Sequence, residues 1–297
     1  MADIVVLAAP AVDAAHRNCV KHLFSMLRET LDDDWARLHC DTFPTVEALP
    51  GNTQRVFEDM RKCEVDSLRA RKFLLNTLAE NSAQLGDIHS RSGLYERTQT
   101  AIYQTLQKAA AAAGDCAPVL LISHSASCIS LSNYLWDAQR PSVNHGVWRD
   151  GGPAEVRKGS ARERFLRLKT LSHWYTLGAG TPLWFGAKQR DQIQAVATAS
   201  RGYQFRWKNF YHPNDLLGWP LKPLSPSYNQ AVFRDYATRP LSDPDNALAG
   251  PQLLPPEDYW RNELVWEQLS KDLSTLLQNT KPKADASAQR SRRAVAV

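Results

Sequence analysis

Three short, largely apolar runs constrain the fold of this chain most strongly. They are residues 4–8, residues 119–122 and Leu171–Leu177. Strands of this kind are buried on both faces, as in parallel sheets covered by helices. Two of the segments between these runs, Ala14–Leu31 and residues 95–113, carry apolar residues at helical spacing. The sequence therefore predicts an α/β fold with a doubly wound, mostly parallel sheet flanked by helices, in which residues 119–122 form a central strand between the other two runs.

The other segments extend this alternation of strands and helices. Residues 54–78 are predicted as one long helix, residues 204–211 as a further strand and residues 256–278 as the last helix. Residues 32–52 contain prolines and a glycine, which predicts a loop with one short strand near residues 37–40.

We expect one domain over residues 1–279, because α/β folds of this length commonly form a single unit. Residues 138–164 are rich in glycine and proline and predict a loop-rich insertion, either a lid over the turn that precedes it or a disordered segment. The basic tail, residues 280–297, is expected to be disordered.

Charge gives little support for a nucleic-acid partner. The formal net charge is +5, but five cations and Asp285 in the tail account for +4 of it, which leaves the body at +1. Recognition-helix and zinc-finger spacings are absent from the sequence. We therefore expect no binding to nucleic acid.

Cysteine usage and hydropathy indicate a cytoplasmic protein. The five cysteines are an odd number and lack C-x-x-C spacing, which argues against a disulfide framework and a zinc site. Asp3 precedes the first apolar run without a basic region, unlike a signal peptide, and no apolar stretch is long enough for a membrane span. We expect no metal and no cofactor, and the oligomeric state stays open.

The segment Ser123-His-Ser-Ala-Ser127 lies where a predicted buried strand turns into a helix. This is the position of the G-x-S-x-G nucleophile elbow, in which the residues two before and two after the nucleophile must be small. Ser125 is the candidate nucleophile, and the N–H of Ala126 at the helix N-terminus is the candidate oxyanion donor. The alternative is a turn whose serines cap the helix.

Three motifs resemble bacterial esterase-like members of the α/β-hydrolase superfamily. They are the elbow with its helix Asn133-Tyr-Leu-Trp-Asp137, the turn Thr176-Leu-Gly-Ala-Gly-Thr-Pro-Leu183, and Trp207-Lys-Asn-Phe-Tyr-His-Pro-Asn-Asp-Leu-Leu-Gly-Trp-Pro-Leu221. The third motif implies that Asp215 is the catalytic acid.

Two departures from the family pattern weaken the implied catalytic apparatus. The family's general base is a histidine shortly before Tyr259-Trp260, and this chain has Pro255-Pro-Glu-Asp258 there. The family's first strand ends in His-Gly, whose N–H completes the oxyanion hole, and Pro10 at this position offers no N–H. His212 is the best replacement base, ahead of His124, His16 and His173.

Two functions follow from these residues. The first is a serine esterase or lipase-like hydrolase that acts weakly or atypically on an ester or acyl ligand, with Ser125, His212 and Asp215 as catalytic residues and Ala126 as oxyanion donor. The second is a catalytically inactive pseudo-hydrolase that binds a ligand or partner.

Overall fold

The computed structural model describes residues 1–10, 14–46, 51–63, 65–196, 204–238 and 259–280. Its strands are β1 (Ile4–Ala9), β2 (Leu38–Thr42), β3 (Val119–His124), β4 (Leu171–Leu177), β5 (Arg206–Tyr211) and β6 (Val232–Ala237). All neighbours pair in parallel, in the order β2-β1-β3-β4-β5-β6. The predicted parallel sheet, with β3 in its interior between β1 and β4, is confirmed.

Helices cover both faces of this sheet. They are α1 (Ala14–Leu31), α2 (Asn52–Arg61), α3 (Leu68–Gly86), α4 (Leu94–Ala113), α5 (Ala126–Ala138), α6 (Ala161–Leu166), α7 (Thr181–Phe185), α8 (Pro226–Ala231) and α9 (Glu263–Asn279). Alternate residues of β1 enter two different cores: Val5 and Leu7 join the α4 and α5 side, while Ile4 and Val6 join the α1 and α9 side. Burial on both faces explains the absence of polar alternation in the strand sequences.

One secondary-structure prediction was wrong, and one strand was not predicted. Residues 54–78 do not form one helix, because α2 ends at Arg61 and Ser67, with a φ of 57°, precedes α3. A positive φ interrupts helical backbone, so two helices replace the predicted one. Strand β6 was not predicted, because it is a half-exposed edge strand with a weak apolar pattern.

Three further predictions concern the insertion at residues 138–164, the last helix and the C-terminal tail. Residues 138–164 contain a 3-10 turn at Arg149–Gly151 and place the Trp148 side chain in the core, with the Arg167 guanidinium 4.1 Å from the centre of its ring. The side chain of Asn262 caps α9, and residues 256–258 of the predicted last helix lie outside the described residues, as do residues 281–297 of the tail. Within the described parts of the chain, no helix has the length and apolar character needed to cross a membrane.

Candidate active site

Ser125 occupies a strained turn between β3 and α5. Its φ is 54° and its ψ is −124°, a combination that non-glycine residues rarely adopt and that costs about 1–3 kcal/mol. The Ser125 N–H donates a hydrogen bond to the carbonyl of Leu177 on β4, at 3.0 Å, which helps to hold the turn. The turn has the order and the backbone strain that a nucleophile elbow requires.

The serines of this turn do not cap the helix. Ser123 Oγ accepts a hydrogen bond from Trp174 Nε1 at 2.9 Å, and Ser127 Oγ donates one to the carbonyl of Pro10. Ser125 forms no side-chain capping bond, and its hydroxyl has no hydrogen-bond partner among the described residues. The capping interpretation therefore fails, and the Ser125 hydroxyl has no structural role in the described part of the protein.

The candidate oxyanion donor, the Ala126 N–H, lies beside Ser125. Ala126 is the first residue of α5, so its N–H belongs to the helix N-terminal groups that lack intrahelical partners. Pro10 follows β1, and the Ser127 hydrogen bond places its carbonyl against the start of α5. Pro10 thus presents a carbonyl acceptor beside the start of α5, while residues 11–13 lie outside the described residues.

Asp215 is bound to Tyr259. The Tyr259 hydroxyl donates to Asp215 Oδ2 at 2.6 Å, and the Leu217 N–H donates to Oδ1 at 2.9 Å. Burial raises the pKa of Asp215 above its ordinary value, and these hydrogen bonds oppose the shift. Burial, reinforced by the Asp215 charge, raises the pKa of the Tyr259 phenol well above its ordinary value. Tyr259 therefore stays protonated near neutral pH and acts as a donor.

The Asp215–Tyr259 pair is packed tightly against Gly218. A Cβ atom at Gly218 would lie 2.6 Å from Asp215 Oδ2 and 2.6 Å from the Tyr259 hydroxyl. Real Cβ atoms do not approach so closely, so the close packing of the pair requires glycine here.

His212 contacts the same pair through its backbone. Its N–H donates to the Tyr259 hydroxyl at 3.0 Å, and its Nδ1 accepts from the Asn214 N–H at 3.1 Å. An Nδ1 atom that accepts a hydrogen bond places the proton of the neutral ring on Nε2. In this tautomer Nε2 is a donor, so this geometry does not prepare His212 to take a proton from Ser125.

The other histidines differ in their positions. The ring of His124 packs against those of Tyr259 and Trp260, with centroids 5.5 and 6.1 Å away. His173 pairs with Leu120 in the sheet, far from the carboxyl end of β3 where Ser125 lies, and its Nε2 is 3.4 Å from Asp272 Oδ2. Burial lowers the pKa of His173 to about 4. The side chain of His16 lies outside the described residues.

The Ser125 site opens onto a small apolar pocket. Its volume is about 10 Å³, close to that of one water-sized sphere, and Ile129, Trp184 and Leu217 are among its walls. At the rim, Leu78 is 43% exposed and Leu183 is 48% exposed. Such a pocket suits a small apolar group whose remainder extends over an apolar rim.

Ser125, Ala126 and Asp215 were named from the sequence as candidate site residues, but Tyr259 was not recognised as the hydrogen-bond partner of Asp215. In the sequence, Tyr259 only marked the position shortly before which the resembled family has its histidine. Its hydroxyl reaches Asp215 across 44 positions of the chain, and no local pattern reveals such a contact. The described residues contain no group of three His, Cys, Asp or Glu side chains that could hold a metal ion.

Comparisons with known proteins returned no relatives. No protein-family model matches the chain, and searches of curated proteins and of solved structures found no match.

Proposed function

We propose that this chain is a weak or atypical serine esterase of the α/β-hydrolase type, with Ser125 as its nucleophile. The observation that carries the proposal is the strained backbone of Ser125, with φ 54° and ψ −124°, combined with a hydroxyl that bonds to none of the described residues. Strain of this kind clusters at functional sites.

The position of Ser125 in the sheet supports the same proposal. The strand order reverses between β1 and β3, because β2 lies beyond β1 while the later strands follow β3. In doubly wound folds, ligands bind at the carboxyl ends of the strands beside this switch point. Ser125 follows β3, and Pro10 follows β1.

In the proposed reaction, Ser125 Oγ attacks the acyl carbon of an ester. The hydroxyl proton passes to a hydroxide ion from solvent, the Ala126 N–H and the dipole of α5 stabilise the tetrahedral oxyanion, and the alcohol leaves after it takes a proton from water, which restores the hydroxide ion. Water then hydrolyses the acyl-serine and releases the acid. Without an imidazole base both steps are slow, by about 100- to 10,000-fold relative to a complete triad.

The pocket dimensions support one class of substrate. A pocket with room for about one water-sized sphere suits the methyl group of an acetyl ester better than a long acyl chain, and the apolar rim at Leu78 and Leu183 suits an apolar alcohol. We therefore expect acetyl esters of apolar or aromatic alcohols to react faster than esters of longer acids.

The Tyr259–Asp215 hydrogen bond favours a second candidate, an inactive pseudo-hydrolase that binds a ligand or partner. In a catalytic triad the acid orients an imidazole ring. In this protein Asp215 Oδ2 instead accepts a hydrogen bond of 2.6 Å from the protonated phenol of Tyr259. A phenol whose pKa is raised does not serve as a base at neutral pH.

Hydrolysis of p-nitrophenyl acetate separates the two candidates. The esterase proposal predicts slow turnover with a burst of p-nitrophenol, abolished in Ser125→Ala and retained in Ser127→Ala, which removes a serine hydroxyl from the same turn. Turnover equal in wild type and Ser125→Ala, or none in wild type, would favour the pseudo-hydrolase.

A further inference from the structure

A second and larger cavity lies beyond the small pocket beside Ser125. Its volume is about 250 Å³, against about 10 Å³ for the pocket. An apolar cavity of about 150 Å³ holds a benzene ring, so a cavity of this size has room for a short alkyl chain. The proposed reaction with acetyl esters uses only the smaller space.

The pocket and the cavity follow one another along α5. Ala126 and Ile129 of this helix line the pocket, whereas Asn133 and Trp136 line the cavity. Residues three or four apart lie on the same face of a helix, so these four residues form one stripe. Ile129 and Asn133 are about 6 Å apart along the helix axis. The two spaces are therefore separated by about one turn of α5.

Two other segments pass both spaces in the same order. In α7, Trp184 lines the pocket and the next residue, Phe185, lines the cavity. Leu78 of α3 lines the pocket, and Ile88, which follows that helix, lines the cavity. The pocket and the cavity are thus adjacent along three segments, and Trp184 lies on the side of the pocket that faces the cavity.

The backbone of α7 holds Trp184 at this boundary. The Leu183 N–H donates a hydrogen bond to the Gly180 carbonyl at 3.0 Å, and the Gly186 N–H donates one to the Pro182 carbonyl at 2.8 Å. Because these bonds involve only the backbone, removal of the Trp184 ring leaves them in place. A truncation at this position therefore changes the space between pocket and cavity without removing the turn that carries it.

The walls of the cavity suit an alkyl chain. Five apolar or aromatic side chains contribute to them, namely Ile88, Trp136, Phe185, Ile193 and Tyr228. Asp137 also borders the cavity, but it is 1% exposed and accepts hydrogen bonds from the Tyr95 hydroxyl at 2.8 Å and from Gln99 Nε2 at 2.6 Å. An alkyl chain in the cavity would therefore not lie against an unpaired carboxylate.

We propose that Trp184 limits the length of the acyl chain by separating the Ser125 pocket from this cavity. With the indole ring in place, the acyl group has little more room than a methyl group needs. Without the ring, pocket and cavity become one compartment along α5, which a medium-length acyl chain enters. This inference rests on the proposed esterase function and adds a specificity-determining residue to it.

Trp184→Ala tests the proposal through chain-length preference. The readout is the ratio of kcat/KM for p-nitrophenyl hexanoate to that for p-nitrophenyl acetate, which a general loss of activity leaves unchanged. Each buried methylene group favours binding by about fourfold, so the ratio should rise by about tenfold or more. Trp219→Ala is the matched control, because its indole is 42% exposed in the loop after β5 and lines neither space.

Further variants decide whether the chain enters the cavity. Ser132→Phe fills the cavity and not the pocket, so adding it to Trp184→Ala should return the ratio to near its wild-type value. Trp184→Leu, a milder truncation, should give a smaller increase, and thermal unfolding verifies that each variant is folded. The proposal is overturned if both truncations leave the ratio unchanged, if Trp219→Ala raises it equally, or if Ser132→Phe does not reverse the gain.

A thiol at position 125 separates this inference from the esterase proposal, because its labelling needs no esterase activity. In Ser125→Cys, hexyl and methyl methanethiosulfonate each form a mixed disulfide with the introduced thiolate and release methanesulfinate. Peptide mass spectrometry distinguishes this site from the five native cysteines. The hexyl-to-methyl ratio of labelling rates should rise about tenfold when Trp184→Ala is added.

The two readouts together assign any failure. A raised labelling ratio without ester hydrolysis in any variant would refute the esterase proposal and leave Trp184 as the residue that limits chain length beside position 125. Ester hydrolysis with both ratios unchanged would overturn the role of Trp184 and leave the esterase proposal standing. An unchanged labelling ratio without hydrolysis would overturn both.

Discussion

The hydroxyl of Tyr259 donates a hydrogen bond of 2.6 Å to Oδ2 of Asp215, and it accepts one of 3.0 Å from the backbone N–H of His212. A single phenol thereby connects the loop after β5 to the residues before α9. Both hydrogen bonds are largely sheltered from water, since Tyr259 is 2% exposed and His212 is 5% exposed.

Tyr259→Phe should destabilise the fold. It leaves Asp215 Oδ2 and the His212 N–H without this partner, and a buried unsatisfied group costs about 1–3 kcal/mol. Urea denaturation measures the free energy of unfolding. Tyr228→Phe is the control, because the Tyr228 ring is buried but its hydroxyl has no hydrogen bond among the described residues. Equal stability of the two variants would refute the role assigned to Tyr259.

Gly218→Ala should disturb the hydrogen-bonded pair of Asp215 and Tyr259. The added methyl group would meet both Asp215 and the Tyr259 hydroxyl, and overpacking of this kind typically costs about 1–3 kcal/mol. Gly86→Ala, at the end of α3 where a Cβ meets nothing within 4 Å, should be neutral or stabilising. Thermal unfolding compares them, and a Gly218→Ala variant as stable as wild type would contradict the close packing.

The apolar runs were sufficient to predict the centre of the sheet, because residues buried on both faces must be apolar whatever surrounds them. The same argument fails for β6, whose Phe233 is 50% exposed at the sheet edge. The tight turn at Ser125 was predictable because a strand, a turn of small residues and a helix are adjacent in sequence. The environment of Asp215 was not, since it depends on Tyr259, which lies far along the chain.

His212→Ala should lower the rate of p-nitrophenyl acetate hydrolysis by less than tenfold, because Nδ1 of His212 accepts a backbone hydrogen bond and its Nε2 carries the proton. Steady-state kinetics checks this. A loss of more than about 100-fold, with the fold intact, would instead identify His212 as the general base.

The buried His173 should make stability depend on pH in the acid range. Burial lowers its pKa to about 4, below the unfolded value of about 6.5, while the nearby Asp272 raises it and Lys208 and Arg206 lower it further. The unfolded state therefore binds more protons than the folded state between about pH 6.5 and pH 4, and stability falls as the pH falls through this window, by up to about 3 kcal/mol.

Urea denaturation at several pH values tests this dependence, with His173→Gln as the variant and His22→Gln, at an exposed position of α1, as the control. The slope of stability against pH should flatten in His173→Gln alone. A slope that persists in this variant would assign the acid sensitivity to other groups.

The most direct test of the central claim, that Ser125 is a nucleophile without an imidazole base, is the pH dependence of its labelling by a fluorophosphonate, followed by intact-mass and peptide mass spectrometry. We predict a single adduct on Ser125 whose rate of formation rises about tenfold per pH unit from about pH 6 to pH 8, as expected when hydroxide removes the proton. A plateau with an apparent pKa near 6.5, or an adduct anywhere but on Ser125, would contradict the claim.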